Sequence, residues 1–188
     1  MTQRAGGARR NARRAGGREA QPSAPRRDRD PAGRPRNARP RDELGRPLPR
    51  EAAGQPPPPD EQALAPRAAL DLAQQLIDSG RAFRAHEVLE ASWKAAPPAE
   101  RDLWQGLAQV AVGLTHAQRG NARGAVALLR RGGQRVAGYA GSAPHGIEAA
   151  DVARFATDLA GRIERDGLAA ATSAGSPPRL RTGPSEQI

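Results

Sequence analysis

Apolar residues recur at helical spacing through the middle of the chain, and no stretch shows the alternation a strand would need. A first helix is predicted over 66–79, with Leu70, Ala73, Leu76 and Ile77 on one face and Gly80 as its stop. A second spans 82–96, with Ala82, Ala85, Leu89 and Ala96 in one stripe, and ends at Pro97 and Pro98. Pro98 suits the first turn of a third helix over 98–118, where Glu100 and Asp102 sit near the positive end of its dipole. Gly120 and Asn121 separate it from a fourth, whose stripe is Ala122, Ala125, Leu129, Val136 and Tyr139. Gly132 and Gly133 are expected to weaken that helix in its middle. A loop through Pro144, His145 and Gly146 leads to a fifth helix over 148–165, with Val152, Phe155, Leu159 and Ile163 facing inward.

The pattern repeats weakly at an offset of 40: Gly80, Ala82, Ala85, Val88 and Leu89 fall on Gly120, Ala122, Ala125, Leu128 and Leu129. The expected fold is therefore all-α, a compact bundle of about five helices built from two helix–Gly–helix hairpins plus a closing helix, flanked by disordered tails. Residues 1–60 read as an Arg/Gly/Pro-rich arm ending in the proline run 56–59, residues 61–168 as the helical domain, and residues 169–188 as a C-terminal tail.

Charge sharpens this division. Residues 1–50 carry fifteen arginines against five acids, so the whole excess of +10 lies in the arm and the rest of the chain is balanced. The arm, from Arg4 to Arg50, can attract a polyanion through counterion release, weakly and without base readout because it holds no aromatic residue. With no cysteine there is no disulfide or thiolate chemistry. No apolar run reaches the length of a membrane span, and the N-terminal arginines are not followed by the apolar region a secretory signal needs. A cytoplasmic protein without a membrane partner is expected.

Candidate chemistry lies on the second and third helices. Beside the apolar stripe of the second run Phe83, His86, Glu90 and Trp93, spaced 3, 4 and 3, with Glu87 pointing further out. The third helix carries no charge over 103–118, which is unusual for a surface helix and expected of one covered on both sides. Opposite its core face lie Gln105, Gln109, Val112 and His116, whose polar groups need partners if buried, and His86 and Glu90 are the candidates. Two readings remain open: a structural network fixing the packing of the two helices, or a polar pocket. As a pocket, it belongs to a binding or interaction module holding a small polar ligand or a protein partner. Alternatively, it belongs to an enzyme with Glu90 as general base and His86 as general acid, with or without metal-assisted hydrolysis.

His86 and Glu90, with His116 as a third ligand, could touch one metal ion. The second His of an HExxH motif and the paired Glu-x-x-His motifs of a di-iron bundle are absent, so neither metal nor cofactor is expected. Ser92 and Thr115 lie inside predicted helices, not in a nucleophile elbow, and Gly120–Gly124 is a helix–helix turn, not a phosphate loop. His145, in its Pro-Gly loop, reads as a plain surface residue.

The run from Gly80 through His86, Glu87 and Glu90 to Trp93, then Gln105-Gly106-Leu107-Ala108-Gln109, then His116 followed by Gly120-Asn121 and Gly124-Ala125, resembles the helical family catalogued as domain of unknown function 309. The resemblance covers about residues 66–140. It implies a compact helical domain and singles out His86, Glu87, Glu90, Trp93, Gln105, Gln109 and His116, but it carries no activity. Gly132 and Gly133 depart from the helix-favouring residues expected there.

Overall fold

A computed structural model describes residues 40–49, 51–53, 63–173 and 177–182. Most of the expected arm, and part of the expected tail, lie outside them. The described residues form five α-helices and no extended strand.

Helices α1 (Pro66–Asp78) and α2 (Ala82–Ala95) make the first hairpin, α3 (Arg101–Gln118) and α4 (Ala122–Ala137) the second, and α5 (Ala149–Ser173) closes the order. Pro66 starts α1, where a missing N–H costs nothing. The turns explain the 40-residue repeat. Gly80 and Gly120 both adopt left-handed backbone, φ +74° and +78°. In each turn the following amide reaches back over the glycine, Arg81 to Leu76 O at 2.7 Å and Asn121 to His116 O at 2.9 Å. The residues in register behind them, Ala82 and Ala85 with Leu89, and Ala125 with Leu129, are buried in both hairpins.

Ala96 is extended, as a residue before proline must be, and Pro98–Glu100 forms a 3-10 turn that feeds α3. Helix α3, uncharged over 103–118, is central, with its main contacts on α2 and α4, while α5 packs on α4. Leu103, Trp104, Leu107, Val110, Ala111, Thr115 and Ala117 are shielded, while the opposite stripe of Gln105, Gln109, Val112 and His116 is only half-buried, so the expected cover on both sides is incomplete.

Helix α4 runs unbroken through Gly132 and Gly133, and both glycines stand at points of close approach. A Cβ on Gly132 would stand 2.7 Å from Gly106 O of α3, and one on Gly133 would stand 3.1 Å from Ala156 Cβ of α5. Helix α5 continues past the expected end near 165, with a break at Gly167 (φ +79°).

The packed body also reaches beyond 61–168 at both ends. Near the C-terminus, Leu180 is 1% exposed, its amide donates to Gln74 Oε1 (2.7 Å) and its carbonyl accepts from Glu148 N (3.0 Å). Arg181 pairs with Asp71 of α1. Near the N-terminus, residues 40–48 fold into a turn against α2 and the end of α3. A local apolar pattern carries no record of either contact, since each rests on a few isolated side chains and backbone groups and not on a periodic stripe. Among the described residues no helix is long and apolar enough to cross a membrane.

Candidate functional site

The α2 stripe stands where helical periodicity places it. Phe83, His86, Glu90 and Trp93 are all half-buried on the flank of the core face. His86 Nε2 lies 3.4 Å from Glu90 Oε2 one turn on, and the other Glu90 oxygen lies 3.4 Å from Lys94 Nζ. Glu87 pairs with Arg84 at 2.8 Å and, against the expectation that it points further out, is half-buried, with a side chain 18% exposed against 35% for Glu90. Trp93 packs against the core edge.

Burial costs the His86 imidazolium its hydration by more than Glu90 and Glu87 return, and Lys94 and Arg41 add repulsion, so its pKa falls below the ordinary 6.5. His86 is neutral at pH 7. With the Glu90 carboxylate facing Nε2, the proton belongs on that nitrogen, which leaves Nδ1 as an acceptor. Nδ1 is fully buried and has no hydrogen-bond partner among the described residues. On α3 the same holds for Oε1 of Gln109. Gln105 is half-buried on the same helix.

The expected joining of the two stripes does not occur. Among the described residues no hydrogen bond links His86 or Glu90 to Gln105, Gln109 or His116. His116 leaves the set altogether: its Nδ1 accepts from Asn121 Nδ2 at 2.8 Å, while Asn121 Oδ1 caps α4 by accepting from Gly124 N at 2.9 Å. Gly124 must be glycine here, since a Cβ would lie 2.7 Å from the imidazole nitrogen. His116-Asn121-Gly124 is thus a turn device. Burial, then Arg119, lower the His116 pKa and keep the ring neutral as this acceptor role requires. His116 cannot be a third metal ligand beside His86 and Glu90, and among the described residues no group of three His, Asp or Glu could hold a metal ion.

Two features were not legible in the pattern. His145, read as a plain surface residue, holds left-handed backbone (φ +61°) and donates from Nε2 to Glu100 Oε2 at 2.9 Å. The same oxygen accepts from Trp104 Nε1 at 3.1 Å, and the two rings lie 6.0 Å apart. Burial of Glu100 opposes its ionisation, but these two hydrogen bonds outweigh it and hold the carboxyl below the usual 4.5. The cluster pins the loop before α5 to the start of α3. Its members are 45 residues apart, so no local spacing announces it.

The second feature surrounds Phe83. Gly45 (φ +74°) lies directly on its ring, where a Cβ would come within 2.2 Å. The guanidinium carbons of Arg41 and Arg119 stand 5.5 and 5.7 Å from the ring centroid, and the His86 ring is 5.9 Å away. Arg119 donates through Nε (2.7 Å) and Nη2 to Leu44 O. Apart from this group, an open cavity of about 290 Å³ lies on α5, lined by Asp151, Arg154, Phe155, Asp158, Arg162, Pro178 and Arg179. It contains Phe155, expected to face inward, but none of the candidate site residues drawn from the sequence.

The family described as "Domain of unknown function (DUF309)" matches residues 70–128, a stretch that runs from α1 into α4 and contains all seven of those residues. The uncharacterized protein YpuF of Bacillus subtilis (strain 168) is 38% identical over 65 residues, which cover 34% of this chain and 37% of that protein. The aligned part is therefore well under half of either chain. No solved structure matches.

Proposed function

We propose that the helical unit is a binding module, and that the flank of α2 against α3 receives a hydrogen-bond-donating group of a small polar ligand or of a protein partner. One observation carries this reading. Two buried acceptors, Nδ1 of His86 and Oε1 of Gln109, have no donor among the described residues, where the other buried side-chain atoms without a partner are the donors Nε of Arg135 and Nε of Arg162. Burying an acceptor unpaired costs about 1–3 kcal/mol, so each of these groups calls for a donor beyond the described side chains, an ordered water or a ligand that displaces it. Both groups are acceptors in the assigned protonation state, so the complementary chemistry is an amide, an amine or a hydroxyl. The Phe83 and Trp93 rings supply apolar walls at either end of the stripe.

Urea denaturation of His86→Phe and Gln109→Leu tests the reading without knowledge of the ligand. Removing an acceptor that has no internal partner should be neutral or stabilising, by up to about 1 kcal/mol. Losses of about 2 kcal/mol in both variants would show that these groups serve the fold itself, and the binding proposal would fail. A thermal-shift screen of small amides, amines and polyols should then give hits on the parent chain that vanish in Gln109→Leu.

A further inference from the structure

We infer that the Phe83 face is a peptide-docking site, and that the chain's own residues 40–48 occupy it as an intramolecular ligand that covers the approach to His86. This inference rests on the binding reading of the α2 flank and adds its regulation.

The docked segment is preorganised by its own contacts. Asp42 accepts from the Arg46 amide at 2.7 Å and from Arg46 Nε at 2.9 Å, Gly45 N donates to Asp42 O at 2.8 Å, and Leu48 N donates to Pro40 O at 2.8 Å. The result is a tight turn with Gly45 at its tip in backbone that only glycine adopts freely. Residues with side chains cannot replace it, because the space where a Cβ would stand is filled by the Phe83 ring.

The receiving face is equally specific. Phe83 offers its ring to two cations, Arg41 from the segment and Arg119 from the end of α3. Arg119 also aims two donors at the one carbonyl, Leu44 O, that the turn presents to it. Burial of the Arg119 guanidinium, which lowers its pKa, is the cost of that position. Hence the face recognises a turn with a glycine tip, an outward carbonyl and a flanking arginine.

Docking of this kind is reversible. It is made by one carbonyl, a glycine tip and cations over a ring, with Leu44 only half-buried. Ordering a backbone segment costs conformational entropy that offsets most, but not all, of what such contacts return. Arg41 also brings a positive charge close enough to His86 to disfavour its protonation. The His86 ring lies 5.9 Å from the Phe83 ring on which Gly45 sits, so an incoming ligand for His86 and the docked segment compete for the same ground.

The test uses the full chain carrying Gly45→Val, with Arg119→Gln as a second variant that leaves the turn intact. Hydrogen exchange at the Arg46 and Leu48 amides should accelerate about tenfold or more in Gly45→Val, while helix amides keep their protection. Acylation of His86 by diethyl pyrocarbonate, read by mass spectrometry, should speed up in both variants. Adding a synthetic peptide of residues 40–49 should slow it again, and the same peptide with Gly45→Val should not. Unprotected Arg46 and Leu48 amides in the parent chain would overturn the docking itself. Unchanged His86 acylation in both variants would overturn its role as a cover. Neither readout involves an outside ligand, so the binding proposal is judged separately by its own variants.

Discussion

Replacing Gly132 with alanine sets local helix preference directly against packing. In an isolated helix the change would favour folding by about 1 kcal/mol, since glycine surrenders more backbone entropy than alanine. In α4 the new methyl would meet Gly106 O at 2.7 Å and both Cγ2 and the amide nitrogen of Val110 at 2.9 Å. Two of these three atoms are backbone of α3 and cannot rotate away. The helices must separate, and α3 is held from its other side by α2, so the shift loosens the core around Leu103, Leu107 and Val110. Overpacking of this kind costs about 1–3 kcal/mol, and with rigid atoms on the far side the upper figure applies. After subtracting the helix-propensity gain, Gly132→Ala should lose about 2 kcal/mol. Gly138→Ala is the control: Gly138 is exposed, has helical backbone (φ −60°), and a Cβ there meets only Arg135 O at 3.4 Å. It should be neutral or slightly stabilising. Urea midpoints at an unchanged m value would measure both. A Gly132→Ala protein as stable as its parent would refute the reading that close approach to α3 requires glycine at 132.

Two further outcomes follow from the same structure. Because the native pKa of His86 lies below 6.5 while the unfolded chain protonates near that value, the unfolded state binds more protons as pH falls. Stability should therefore decline on acidification from about pH 6.5, and His86→Phe should flatten that decline, leaving the smaller part due to His116; an identical pH profile in the variant would exclude His86 as a buried neutral group. Leu180→Ala, which empties a site 1% exposed, should cost about 2–4 kcal/mol in the same urea assay, and a loss near zero would mean that the C-terminal segment does not belong to the core.

The helices, the two glycine stops and the uncharged central helix were legible in the residue order, because each depends on interactions within a few residues. Gly80 and Gly120 end helices by their own backbone freedom, and the 3–4 spacing of Leu70, Ala73, Leu76 and Ile77 defines a buried face wherever that face turns. The stacking of His86 on Glu90 was readable for the same reason. What each face meets was not. Gly132 looked like a weak point in a helix and is a contact point between two, since its value lies in the atoms of α3, 26 residues earlier at Gly106. His116 appeared to share a stripe with Gln105 and Gln109, yet the chain reversal at Gly120 brings Asn121 to its ring first. His145 and Glu100, and Arg119 and Leu44, are joined across 45 and 75 residues through single polar contacts that leave no periodic trace. Local periodicity decides which residues a helix will bury. Only the tertiary arrangement decides which polar groups find partners and which, like His86 Nδ1 and Gln109 Oε1, find none among the described residues.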